Sequence, residues 1–143
     1  MNTGLLHLHN ILRWVILILL LITLFQAFSR KDAIRKTSLW LLISAHIMLL
    51  IGLFQVINGR YGISNGLPEG IELMKDKFYR FYWIEHPVGM LIAIILITIA
   101  RGKAKVLNYK ATSWLLLIAL LIILATIPWP FRETVGRHLF PGS

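Results

Sequence analysis

The sequence lacks most of what soluble enzymes use. Cysteine is absent, which excludes disulfides and thiolate metal sites. There is no nucleophile–base motif, no phosphate-binding glycine loop and no carboxylate dyad, so hydrolase and kinase chemistries have no support. HExxH, an HxH pair on one helix face and a Met-rich repeat are also missing, as are internal repeats. Acids are scarce, six Asp and Glu against fifteen Lys and Arg, giving a net charge of +9 over 143 residues. That excess does not point to nucleic acid, because the cations cluster between apolar runs, where a membrane protein places them.

What is present is hydrocarbon. Hydrophobic residues make up 57% of the chain and the mean hydropathy is +0.74, well above soluble proteins. Four apolar runs, Leu5–Phe28, Leu39–Ile57, Phe81–Ala100 and Ala111–Trp129, each approach the roughly 20 residues that cross a bilayer as a helix. The first has no basic segment before it and no small-residue cleavage site after it, so it reads as a retained span. The expectation is an all-α membrane protein: one domain of four transmembrane helices in an antiparallel bundle. The spans are about 5–28, 38–58, 80–100 and 111–129, with an extracytoplasmic segment over 59–79.

Two short connections carry dense positive charge. "SRKDAIRK" holds Arg30, Lys31, Arg35 and Lys36, and "RGKAKVLNYK" holds Arg101, Lys103, Lys105 and Lys110. The positive-inside rule places both in the cytoplasm and both termini on the outer side. In the outer segment, "EGIELMKDKFYRF" has the pattern of a short amphipathic helix, and Phe78, Tyr79, Phe81, Tyr82 and Trp83 form an interfacial belt. Pro128 and Pro130 end the fourth span beside Trp129.

The polar residues inside these spans carry the functional question. At about 1.5 Å per helical residue, His9 and Arg13 fall about 11 and 5 Å outward of the first span's centre, and Glu85 and His86 about 9 and 7 Å outward of the third's. His46 falls near the midplane of the second. His9 and Arg13, four apart, share one face of the first helix, and His7 points almost oppositely. The matching depths of Arg13 and Glu85 predict an ion pair, or else an Arg13 that meets an anionic cofactor group while Glu85 orients a histidine or carries protons. Pro87 predicts a kink or helix start beside His86. Gly89, Ala93 and Ala100 form a small-residue stripe on the face that His86 begins, suited to a flat group or to close helix packing.

Three histidines on three apolar spans point to metal or haem ligation, since neutral imidazole brings a ligand into lipid without charge. The depths favour His86 with His9 or His7 as an axial pair. His46 with His86 requires a tilted geometry. A divalent metal or copper site from His9, His46, His86 and Glu85, with Met48 and Met90 nearby, is the other ligating reading. His138, in the polar tail, reads as a surface residue.

The motifs "LHLHNILRW" (6–14), "SAHIMLLIGL" (44–53), "EHPVGMLIAIILI" (85–97) and "IPWPF" (127–131) resemble a family of small four-helix membrane proteins of Bacteroidetes-type genomes labelled cytochrome b-like. The resemblance implies a b-type haem and membrane electron transfer, and it falls on His9, Arg13, His46, Glu85 and His86. Haem b would then be the cofactor, with quinone or a respiratory complex as redox partner. The alternative is a cofactor-free subunit or assembly factor of a larger membrane complex, or a homo-oligomer.

Overall fold

The computed structural model describes residues 3–58, 66–67, 69–73 and 75–127. Residues 128–131 of "IPWPF", Trp129 among them, His138 and residues 59–65 of the outer segment lie outside them. The described secondary structure is helical throughout: α1 (Thr3–Phe28), α2 (Ile34–Asn58), α3 (Lys77–Arg80), a π-turn (Phe81–Glu85), α4 (His86–Lys105) and α5 (Tyr109–Thr126). Four of these stretches, His7–Phe28, Ile34–Asn58, Trp83–Lys105 and Tyr109–Thr126, are long and apolar enough to cross a membrane.

The helices overrun the apolar runs at the basic end. α2 begins at Ile34 and α4 continues to Lys105, because Arg and Lys propagate a helix well once it is started. At the other limit α5 stops at Thr126, with Ile127 already extended (φ −73°, ψ 134°), earlier than a span to residue 129. The cause is Pro128, which pushes the residue before it out of the helical region. The amphipathic helix expected in the outer segment is shorter than its pattern. Among the described residues of that segment, Lys77–Arg80 is the helical part before the π-turn, opened by Asp76, whose Oδ1 accepts from the Tyr79 amide at 3.0 Å.

α1 packs on α2, α2 on α4, α4 on α5 and α5 on α1, so α1 stands diagonally across the bundle from α4. Between them lies one core of buried Ile, Leu and Ala, running from Ile16, Leu20 and Leu24 of α1 through Leu41 and Ala45 to Ala93, Ile97, Leu116 and Ile123. The outside is as apolar as the inside: Leu50 is 70% exposed and Phe25 67%. Such a surface, on four helices of spanning length, is that of a multi-pass membrane protein.

Both basic connections close at one end of the bundle, around a small cluster of Ala27, Ile34, Ala104, Leu107 and Tyr109. Each helix there ends in the same way. Lys31 N–H bonds the Gln26 carbonyl at 2.9 Å and Asn108 N–H the Lys103 carbonyl at 2.8 Å, six-residue closures with Arg30 (φ 54°) and Leu107 (φ 57°) in the left-handed region. Glycine is the usual residue in that place, and a side chain there costs about 1 kcal/mol.

Candidate functional site

The opposite end gathers the histidines. His9 on α1 and His86 at the start of α4 face each other across the diagonal, with ring centroids 6.3 Å apart and planes at 49°. A metal–imidazole bond is about 2 Å and the nitrogen stands about 1 Å from its ring centre, so two rings in line across one ion have centroids about 6 Å apart. The observed spacing suits that geometry. It also lies within the range of an ordinary ring–ring contact, about 4.5–7 Å.

His86 is held from behind. Its Nδ1–H donates to the Thr126 carbonyl oxygen at 2.7 Å, which sets the tautomer and puts the ring's lone pair on Nε2. The carbonyl is available because α5 ends there, and the helical donor four residues on would be Pro130, which has no N–H. Phe81, 3% exposed, packs its ring 5.8 Å from His86. Gly89 permits the close approach of α4 to α5: a Cβ there would run into the Thr126 Cγ2. The Thr126 hydroxyl meanwhile bonds back to the Ile122 carbonyl at 2.9 Å, holding that methyl toward the glycine.

The π-turn explains why Glu85 stands elsewhere. Pro87 cannot donate within the helix, and the chain takes one wide turn just before it, closed by the His86 amide on the Phe81 carbonyl. Residues five apart come together in such a turn. Arg80 and Glu85 accordingly pair, Nε to Oε2 at 3.7 Å, with Glu85 in the exposed class. The ion pair of Glu85 among the described residues is with Arg80, not with Arg13, and the acceptor that orients His86 is a backbone carbonyl instead of this carboxylate.

Arg13 is buried, 7% exposed, one turn below His9, with its guanidinium carbon 5.4 Å from the Trp14 ring centre. His7 is half-buried, and its Nδ1 is shielded from solvent without a hydrogen-bond partner among the described residues; so is Gln55 Nε2 near the same end of α2. His46 does not share this site. It sits mid-helix on an exposed face of α2, its Nδ1–H donating to the Leu42 carbonyl at 2.9 Å. Beside the π-turn, Ile84, Glu85, Val88, Ile92, Ala125 and Thr126 help line an open cleft of about 450 Å³.

Among the described residues no three His, Asp or Glu side chains converge as a metal cage would require. Two opposed imidazoles suffice only for an ion whose remaining ligands come with it, as iron's do in haem. Sequence reasoning missed Thr126 and Phe81. The first was signalled by the "TIPWP" prolines that strip the end of α5 of amide donors. Comparison with family models, with curated proteins and with solved structures returns no match for this chain.

Proposed function

We propose that the chain is a b-type haem membrane electron carrier, an antiparallel four-helix bundle with both termini on the periplasmic side of a bacterial inner membrane. The observation that carries the reading is the opposed His9–His86 pair on diagonal helices, 6.3 Å between ring centres, with His86 already in the ligating tautomer. The residues around it fit the group. Arg13 supplies a buried cation for the propionates, and the shielded His7 Nδ1 and Gln55 Nε2 are polar atoms that a bound group would satisfy. The apolar wall keeps water from the iron. When bound, haem supplies one-electron chemistry; the protein holds its ligands and their protons in place.

His9 and His86 would hold the haem iron in this reading, and His46, on an exposed face of α2, would not. The cleft beside Glu85 suits approach by quinone, and a respiratory complex is the other class of redox partner. A second reading, a cofactor-free subunit or assembly factor, draws on the same contacts: a ring pair and a 2.7 Å hydrogen bond would also hold three helices together.

The test is a reduced-minus-oxidised visible spectrum of the detergent-purified protein, expressed with ample haem supply. A sharp α band that His86→Ala removes and His46→Ala spares is the expected result. A featureless spectrum from folded, monodisperse protein overturns the haem reading in favour of the subunit.

A further inference from the structure

The basic end carries more charge, and more construction, than topology demands. Residues 30–36 and 101–110 hold eight cations and one acid, a net charge of +7. The lone acid, Asp32, is engaged: Tyr109 Oη–H donates to its Oδ1 at 2.9 Å. The two connections, far apart in the chain, are stapled to each other by Arg35 Nε–H on the Lys105 carbonyl at 3.1 Å. That bond uses Nε and leaves the paired Nη groups, the edge that grips a phosphate. Arg30 opens the same connection, two residues before Asp32 and five before Arg35. It does so from a left-handed position that glycine would occupy without strain. Trp40 and Trp114, 60% and 59% exposed, stand one to two turns inside the same end, where indoles sit among headgroups.

We propose that Arg30, Arg35 and Lys105 form a site for the phosphate of an anionic phospholipid headgroup, assembled by the Arg35–Lys105 and Tyr109–Asp32 hydrogen bonds. A diffuse cationic rim would need neither the Arg35–Lys105 staple nor the Tyr109–Asp32 bond that engages its one acid. The charge complementarity and the flanking indoles make the occupant a lipid of the surrounding bilayer. The proposal does not rest on the haem reading.

The full-length protein is reconstituted in phosphatidylcholine bilayers with increasing brominated phosphatidylglycerol, and tryptophan quenching is compared with that from brominated phosphatidylcholine. Preferential quenching is expected, and it should disappear in Trp40→Phe/Trp114→Phe. Arg30→Gln/Arg35→Gln/Lys105→Gln removes the groups that hold the phosphate and should bring the preference close to one. Lys36→Gln/Lys103→Gln/Lys110→Gln, with the same charge removed, should keep most of it. Tyr109→Phe keeps every cation but releases Asp32, and should lower the preference without altering the helical circular dichroism. Equal quenching by both lipids, or equal loss in the two triple variants, overturns the site. Displacement by inorganic phosphate but not by chloride of the same ionic strength makes it a free-phosphate site and overturns the lipid assignment.

Discussion

The two ends of this bundle solve opposite problems with the same helices. At the basic end the charge lies mostly outside, with Arg101 half-buried. Seven of its eight cations are exposed, its helices stop in tight left-handed closures, and small residues such as Ala27 and Ala104 fill the interior. At the histidine end the polar groups are inside. His9 and His86 face each other, Arg13 is buried beneath them, and the helix leading into α4 departs from α-geometry just where His86 begins. The acids divide unequally as well. Residues 58–86 and 128–143 carry six cations and five acids, a net of +1 against +7. Exposed charge in loops answers to the membrane's field and lipids. Buried polarity between diagonal helices answers to neither, and it persists where something inside the bundle uses it.

The comparison breaks most sharply at the ligands. His86→Ala or His9→Ala should abolish the α band, because either variant leaves one opposed imidazole. His46→Ala should leave it unchanged, and a titration of haem into the purified variants reads all three. Next comes Gly89→Val. Overpacking of this kind costs typically about 1–3 kcal/mol, so a lowered thermal midpoint in detergent should accompany a weakened His86–Thr126 bond. A midpoint unchanged from wild type would remove Gly89 from the account of the site.

At the basic end Arg35→Gln removes one partly exposed hydrogen bond, worth about 0.5–1 kcal/mol. Its effect on stability should be smaller than that of Gly89→Val, and the haem spectrum should not change. Glu85→Gln should have the least effect on stability, below about 1 kcal/mol, because its partner Arg80 is solvent-accessible and water screens the pair. If Glu85→Gln proved as damaging as His86→Ala, the carboxylate would be acting in the site and not beside it.

The four spans were legible because hydrocarbon imposes length and composition together, and no other arrangement satisfies twenty consecutive apolar amides. The convergence of His9, Arg13 and His86 at one end followed from depth alone. Depth could not decide direction around the helix axis, and there the reading of Glu85 failed. A regular α-helix from Arg80 onward would carry Glu85 about 100° away from its observed side, and only the π-turn at Pro87 brings it to Arg80. The depth of His46, near the middle of its span, was legible in the same way, but an all-apolar helix gives no sign of which face it turns outward.

The orienting partner of His86 is main chain, and that has a genetic consequence. No side-chain replacement at Thr126 deletes a carbonyl, so a mutational scan along α5 would find nothing at the atom that sets the histidine's tautomer. Sensitivity would surface instead on the facing helix at Gly89, and at the two prolines that keep other donors away. A scan read residue by residue would then assign the role to positions that do not carry the accepting oxygen.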